Sequence, residues 1–173
     1  MSQGPQLEAL DPAWQETDLP FAAAVRSFVS GDPTGDRIRV RYYRSAEADV
    51  LWGRVWFGPG AEGPPGHCHG GAQAAALDEI CGGCVWVHGH QVVALKLETE
   101  FLDFVPLGTE LVLKGWIVRR DQRKIFTEGT IADSEGKILA RGRVLFIELK
   151  QKHIDKLGSH LISRMGEPSD QEG

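Results

Sequence analysis

The 173-residue chain is long enough for one domain with a buried core and too short for two domains of ordinary size. Hydrophobic residues make up 42% and charged residues 25% of the sequence, close to the averages of folded domains, which argues against a disordered chain. The net charge of −5 argues against nucleic acid as the main partner, because binding to phosphates needs a basic face.

Membrane insertion and export are also not expected. No stretch of the sequence approaches the roughly 20 apolar residues that a membrane helix needs. Met1 to Pro20 has neither the basic nor the apolar region of a secretory signal. Three cysteines, an odd number, fit a reducing compartment better than a disulfide framework. We therefore expect a cytoplasmic protein that binds no membrane.

The first 35 residues are expected to form an N-terminal arm with one short helix. Pro5, Pro12 and Pro20 interrupt a polar start, and this composition predicts a loose segment. Apolar residues at helical spacing between Phe21 and Val29 predict the short helix that follows it.

The main domain is expected over residues 36–150, and it begins with two short strands. Arg37 to Ser45 alternates apolar and basic residues, and Val50 to Phe57 is rich in residues that favour strands. The glycines and prolines between Gly58 and Gly66 cannot continue a helix or a central strand, so they predict a loop.

One Ala-rich helix is predicted in the middle of the chain, at about Gly70 to Gly82. Its residues have high helix propensity, and the pair Gly82-Gly83 supplies a stop signal. A half-buried strand follows at Val93 to Phe101, where apolar and polar residues alternate.

Three further strands complete a predicted four-stranded antiparallel meander, and turn residues separate them. They are expected at Glu110 to Val118, Ile125 to Ala132 and Ile138 to Leu149. Residues 151–173 are expected to form an amphipathic helix, over Lys152 to Arg164, and a flexible tail. The predicted fold class is α+β, with an antiparallel sheet packed against the central helix.

The segment His67-Cys-His-Gly-Gly71 opens the central helix. No Ser, Thr, Asp or Asn stands at its capping position, so the first backbone N–H groups are expected to lack a side-chain partner. Gly70 and Gly71 have no side chains to block approach, and a helix N-terminus favours an oxygen that gains negative charge. The segment is therefore a candidate oxyanion site. The alternative is a glycine pair that only makes a tight turn.

Asp78 is the second candidate group, because a carboxylate without a function is unfavourable on a helix made mainly of Ala, Leu and Ile. The neighbouring Glu79 is more easily explained as a solvated residue. Gly70 and Asp78 are eight residues apart, which is about 12 Å along a helix. A base or nucleophile must lie about 3 Å from its target, so a site that uses both residues requires two chains.

The sequence resembles the hotdog-fold acyl-CoA thioesterases, in the branch of the phenylacetyl-CoA-pathway enzymes, the 4-hydroxybenzoyl-CoA thioesterases and the mammalian thioesterase superfamily members. The resemblance rests on Gly63-Pro-Pro-Gly-His-Cys-His-Gly-Gly71, then six intervening residues, then Asp78, and it covers roughly residues 50–149. It implies an antiparallel sheet wrapped around one central Ala-rich helix. It also implies hydrolysis of an acyl-CoA to a carboxylic acid and CoA.

The same resemblance implies roles for single residues. Gly70 would donate the N–H that holds the thioester oxygen, and His69 would orient the loop. Asp78 of a partner chain would act as nucleophile or as base for a water, while Gly71 and Gly63 would lie at the substrate. The resemblance further implies an acyl-CoA substrate, no separate cofactor, and a homodimer or a tetramer that is a dimer of dimers.

Three positions depart from the family pattern. Ala94 stands where many relatives carry a Ser or Thr that assists the water, Gly63 stands where some have Asn, and Asp103-Phe104 replaces an Arg-Pro. A hotdog domain that binds acyl-CoA without cleaving it, as a sensor or scaffold, is therefore the alternative function. Hotdog dehydratases fit the placement of His and acid less well.

Two further groups of residues have candidate roles. Basic residues that are able to contact the CoA phosphates cluster at one hairpin, and Arg123 and Lys124 are the first candidates, with plain solvation as the alternative. Cys81-Gly-Gly-Cys84 has the spacing of a zinc or redox site. Buried cysteines are more often small apolar fillers, so we expect no metal.

Overall fold

A computed structural model describes residues 5–20, 27–156 and 158 of the chain. Its described part contains one long helix, α1 (Gly70–Val87), and a single 3-10 turn at Pro59–Ala61. The strands are β1 (Gln15–Thr17), β2 (Ile38–Arg44), β3 (Val50–Phe57), β4 (Val92–Phe101), β5 (Glu110–Asp121), β6 (Lys124–Ala132) and β7 (Ile138–Glu148).

All the strands join in one antiparallel sheet in the order β1-β2-β3-β5-β6-β7-β4. One face of this sheet covers α1, whose side chains supply the centre of the core, among them Leu77, Ile80 and Val85 at 0% exposure. Full burial of each such side chain contributes about 1.5–3 kcal/mol. The predicted α+β fold, an antiparallel sheet around one central helix, is confirmed.

A row of glycines allows α1 to lie directly on the sheet. Gly115, Gly129 and Gly142 are cross-strand neighbours on β5, β6 and β7. A Cβ atom at Gly115 would lie 2.7 Å from the carbonyl oxygen of Ile80, and one at Gly129 would lie 2.8 Å from the Cys81 Sγ. These distances are shorter than van der Waals contact, so no side chain fits between helix and sheet at this row.

The helix is longer than the sequence predicts. Gly82-Gly83 does not end α1, which continues to Val87. A Cβ at Gly83 would lie 2.8 Å from Leu19, and one at Gly82 would lie 3.4 Å from the Phe146 ring. Two helical glycines cost about 1 kcal/mol each relative to Ala. The prediction of a stop was therefore wrong because close packing on both sides of the pair outweighs this cost.

The last four strands do not form the predicted simple meander. β5, β6 and β7 are consecutive neighbours, but β4 pairs with β7 rather than with β5. β4 is therefore an edge strand. Eight of its ten residues are exposed, whereas the sequence predicts a half-buried strand. Apart from the buried Val92, the large apolar side chains of this strand are exposed in the described part of one chain.

The described residues of the N-terminal arm are not loose as predicted, because the arm contributes a strand to the sheet. β1 adds a strand to β2 that the sequence did not predict. Leu7 is buried, the Tyr43 hydroxyl donates to its carbonyl oxygen at 2.5 Å, and the Trp14 ring stacks on that of Trp52 with centroids 4.7 Å apart. These contacts fix residues 7–14 of the arm on the face of the sheet that is opposite α1.

Both predicted terminal helices lie partly outside the described residues. Residues 21–26, which carry most of the helix expected between Phe21 and Val29, lie outside the described residues. Residues 151–156 are helical, and the predicted C-terminal helix thus begins as expected, while most of its remainder and the tail fall outside. Within the described part of the chain, no helix is long and apolar enough to cross a membrane.

Candidate active site

The loop before α1 is ordered by backbone hydrogen bonds. The N–H of His69 donates to the Ala61 carbonyl at 2.7 Å, and that of Cys68 donates to the Val105 carbonyl at 2.8 Å. The loop is therefore attached to the segment that follows β4. Gly63 lies behind it, where a Cβ would come within 2.8 Å of the His69 Cα. This close approach explains why position 63 carries no side chain.

His69 caps the helix. Its Nδ1 atom accepts the N–H of Gly71 at 2.9 Å, so the expectation that no side chain caps α1 is wrong. An imidazole nitrogen here replaces the usual side-chain oxygen, which requires Nδ1 to be unprotonated. The N–H groups of Ala72 and Gln73 donate to the His69 carbonyl. The N–H of Gly71 is therefore not available to a ligand. Among the described residues, the N–H of Gly70 is the one in the first turn of α1 that has no acceptor.

The free N–H of Gly70 lies at a cavity of about 410 Å³. Its walls are largely apolar, and they include Phe101, Leu102 and Phe104, which are 56%, 52% and 65% exposed. A Cβ at position 70 would lie 3.0 Å from the Phe101 ring, so glycine keeps this N–H accessible. The buried Oε1 atom of Gln73, which also lines the cavity, has no hydrogen-bond partner. A free donor in an apolar cavity is suited to hold a carbonyl oxygen.

Asp78 lines a second cavity, of about 260 Å³, whose walls come from α1, β4, β7 and residues 28–29. Its Oδ1 atom is buried and has no hydrogen-bond partner. Burial raises the pKa of Asp78 above its usual value, and the negative charge of Glu79 raises it further. A carboxylate with a free oxygen and a raised pKa is a good candidate for a base or nucleophile. Ala94 lines the same cavity.

Glu79 is not the solvated residue that the sequence predicts. The Tyr42 hydroxyl donates to its Oε1 at 2.6 Å, and the Ser27 hydroxyl donates to its Oε2 at 2.5 Å. Glu79 also lines the cavity of Asp78. The sequence could not reveal this arrangement, because the two hydroxyls come from positions 37 and 52 residues away along the chain.

Gly70 and Asp78 do not meet within one chain. Both lie on the continuous helix α1, eight residues apart, which separates them by about 12 Å. They line two different cavities. The Gly70 cavity adjoins the end of β4 at Phe101, and the Asp78 cavity adjoins the start of β4 at Val92.

The two basic candidates differ in their surroundings. The Arg123 guanidinium donates to the Glu148 carbonyl, with Nη2 at 2.5 Å, and thereby holds the end of β7. Lys124 is exposed and forms no ion pair with the described residues. Both lie at the β5–β6 hairpin. Lys124 pairs with Ile147 of β7, and Ile147 pairs on its other side with Val93 of β4. The hairpin is therefore near the start of β4.

The cysteines are buried free thiols. Burial raises the pKa of Cys81 and of Cys84 to about 12, so both stay protonated at neutral pH. Within residues 5–20, 27–156 and 158, no three His, Cys, Asp or Glu side chains are placed to share a metal ion. The pair packs between helix and sheet, as small apolar residues do.

Comparison with known proteins gives consistent matches. Residues 65–140 match the model of the thioesterase superfamily. The chain is 33% identical over 94 residues to the acyl-coenzyme A thioesterase THEM4 of Xenopus laevis, and 30% identical over 95 residues to the acyl-coenzyme A thioesterase THEM5 of Mus musculus. These alignments cover 53% and 54% of this chain but 42% and 38% of the relatives. The chain therefore spans less than half the length of these curated relatives.

Solved structures show the same fold. A thioesterase superfamily protein matches with a TM-score of 0.60 and 30% identity, over 63% of this chain and 56% of that chain. Zebrafish thioesterase superfamily member 2 matches with a TM-score of 0.61 and 17% identity, over 75% and 93%. A hypothetical thioesterase protein from Streptococcus pneumoniae, solved with coenzyme A, matches with a TM-score of 0.59 and 18% identity, over 67% and 91%. The resemblance predicted from the sequence is confirmed: the chain has the hotdog fold and is similar to proteins of the thioesterase superfamily.

Proposed function

We propose that this protein hydrolyses an acyl-CoA thioester to a carboxylic acid and CoA, at a site that two copies of the chain form together. The observation that carries the proposal is the free Gly70 N–H and the unpartnered Asp78 carboxylate, which lie in separate cavities of one chain. Curated relatives are named acyl-coenzyme A thioesterases, and one structural neighbour was solved with coenzyme A. Both facts favour an acyl-CoA as the substrate.

The surface that we propose for pairing is the free edge of β4. Val93, Leu95, Leu97 and Phe101 are 45%, 57%, 38% and 56% exposed along it. The charged residues of the strand are already paired within the chain, Lys96 with Glu98 at 2.7 Å and Glu100 with Arg143 at 2.8 Å. A long edge strand with exposed apolar side chains is a template for pairing with a second strand.

Antiparallel pairing of two β4 strands would complete the site. If the two-fold axis passes near Leu97, residues 93–94 of one copy lie opposite residues 100–101 of the other. The start of β4 borders the Asp78 cavity and its end borders the Gly70 cavity. The two cavities would then join across the interface, which gives two equivalent sites per dimer. A tetramer made of two such dimers has the same sites.

The chemistry needs no cofactor. The thioester oxygen would accept the Gly70 N–H, which is placed to stabilise the negative charge of the tetrahedral intermediate. Asp78 of the second copy would either attack the carbonyl carbon or take a proton from the attacking water. The C–S bond then breaks, the CoA thiolate leaves and is protonated, and water supplies the oxygen of the product acid. Lys124, and then Arg123, would contact the CoA phosphates at the rim.

One observation favours a second candidate, a domain that binds acyl-CoA without hydrolysing it. Ala94 lines the cavity of Asp78 and offers no hydroxyl to orient a water. Binding by the Gly70 cavity would be unaffected by this substitution. Only an assay of turnover separates the two functions.

The first test follows thiol release from a panel of aliphatic and aromatic acyl-CoAs. We expect turnover by the natural protein and a loss of at least about 1,000-fold in Asp78→Asn, since a positioned base contributes about 10²–10⁴-fold and a nucleophile more. The signal from the three native cysteines is subtracted. Binding of an acyl-CoA without any turnover would instead support the binding domain.

A second test asks whether the site is shared. Gly70→Val would crowd the Phe101 ring and close the Gly70 cavity, and Asp78→Asn removes the carboxylate. Each variant alone is expected to be inactive. A mixed dimer of the two has one intact site, so refolding an equal mixture should restore about a quarter of the natural activity. A mixture that stays inactive, although mass spectrometry detects mixed dimers, would contradict the two-chain site.

A further inference from the structure

The carboxylate of Glu79 is fixed by two hydroxyl groups. Tyr42, from β2, and Ser27, from the segment before it, each donate to a different oxygen. Burial and the nearby Glu79 charge raise the pKa of Tyr42 well above 10, so this hydroxyl remains a donor throughout the neutral range. The two hydroxyl groups thus hold the Glu79 carboxylate in one position.

Glu79 is poorly suited to act as the base itself. Both of its oxygens already accept hydrogen bonds from the protein, whereas the Oδ1 atom of Asp78 accepts none. The two carboxyl groups nevertheless line the same cavity. The structure therefore distinguishes a free carboxylate from a neighbouring carboxylate whose position is fixed.

Within the described residues, Glu79 is the charged group that shares the cavity with Asp78. The other groups of α1 that face the cavity are uncharged, and the nearby Cys81 thiol has a pKa of about 12 and stays protonated. The walls from the other elements are formed by Val92, Val93 and Ala94 of β4, Phe146 of β7, and Phe28 and Val29. No basic side chain among these residues compensates the charge of Glu79.

We propose that Glu79 is a positioning residue for the hydrolysis: held by Tyr42 and Ser27, its carboxylate forms part of the wall of the Asp78 cavity and acts on the Asp78 carboxyl group. The inference rests on the proposed function, in which Asp78 is the base or nucleophile. A second carboxylate in the same cavity disfavours ionisation of Asp78 and makes its carboxylate more basic. Glu79 acts through Asp78 and does not touch the substrate.

The test is the pH profile of kcat/KM in Glu79→Gln. The glutamine is nearly isosteric and its oxygen still accepts a hydroxyl, but its charge is gone. The acid limb of the profile reports ionisation of Asp78. We expect this limb to move about one pH unit toward lower pH, because Asp78 is easier to ionise once the repulsion from a neighbouring negative charge is removed. Glu135→Gln, in the exposed turn between β6 and β7, removes one charge far from the cavity and should leave the limb unchanged.

A titration without substrate separates this inference from the proposed function. The ¹³C carboxyl signal of Asp78, assigned by its absence in Asp78→Asn, should titrate at lower pH in Glu79→Gln than in the natural protein. This shift is expected whether or not an acyl-CoA is hydrolysed. Equal Asp78 midpoints in Glu79→Gln and in the natural protein would overturn the inference. The proposed function would still stand if Asp78→Asn had abolished turnover.

A milder variant covers the case in which Glu79→Gln does not fold. Tyr42→Phe removes one of the two hydroxyl groups that hold the Glu79 carboxylate in the cavity wall, so this carboxylate is less fixed. The Asp78 midpoint should then move in the same direction by a smaller amount. A folded Tyr42→Phe protein with an unmoved midpoint would count against the role of the hydroxyl groups and of Glu79.

Discussion

The two edges of the sheet differ in length and in chemistry. The β1 edge has three residues, Gln15–Thr17, and the aromatic contacts of Trp14 lie beside it. The β4 edge has ten residues, eight of them exposed, with a row of apolar side chains. Two groups without partners, the Gly70 N–H and the Asp78 Oδ1, lie in the cavities next to β4. The comparison supports the proposal that a partner chain completes the β4 edge, while the β1 edge stabilises the chain itself.

The largest expected effect comes from a lysine on the β4 edge. Leu97→Lys would place two like charges face to face near the proposed two-fold axis, at a cost of several kcal/mol. We expect a monomer, and a loss of hydrolysis of at least about 100-fold because the two halves of the site separate. Sedimentation and thiol release measure the two effects.

The matched control is a lysine on the opposite edge. Gln15→Lys changes an exposed residue of β1 and should alter neither the oligomeric state nor the activity. A monomeric Leu97→Lys protein that keeps full activity would show that one chain is sufficient. If Gln15→Lys instead dissociated the assembly, the partner would have to bind at β1.

A smaller effect is expected at the β1 side, on stability alone. Trp14→Ala removes the stacking on Trp52 and the contact with Tyr43, whose ring centroids lie 4.7 Å and 5.8 Å away. Loss of a partly buried tryptophan should lower the free energy of unfolding by about 2–3 kcal/mol. Urea denaturation measures this loss, and the purified variant should remain oligomeric and active below its transition. Loss of activity without loss of stability would assign the arm a role in the site.

The smallest effect is a gain in stability in Asp78→Asn. The pKa of Asp78 is raised in the folded state by burial and by Glu79, so folding favours its protonated form. The stabilising contribution is then present below the unfolded-state pKa of about 3.9 and is lost as the pH rises through the folded-state value. The asparagine variant should melt at a higher temperature than the natural protein at pH 7. The difference should vanish near pH 3, and a lower melting temperature at pH 7 would contradict the inferred direction.

Sequence reasoning predicted the local features well and the long-range ones poorly. Helix propensity and the Gly58 to Gly66 composition located the start of α1 and the loop before it, because these signals act over a few residues. The position of β4 at the edge was missed, since alternation along a strand does not identify its neighbours. The end of α1 was missed because Leu19 and Phe146, which pack around Gly82 and Gly83, lie far away in the sequence.

The candidate site shows the same division. The spacing of Gly70 and Asp78 along a helix is local, and it correctly predicted that they cannot meet in one chain. The cap by His69 was missed because the usual capping residues are oxygen acceptors, while here a ring nitrogen accepts. The hydroxyl groups that hold Glu79 were missed because only the folded sheet brings Tyr42 next to α1.

The glycine row beneath the helix determines how closely α1, which carries Asp78, lies on the sheet. Gly115 and Gly129 touch Ile80 and Cys81, which lie on α1 immediately beyond Asp78. Any added side chain there would lift this part of the helix, and Asp78 with it, away from the sheet. The position of Asp78 therefore depends on residues that line neither cavity.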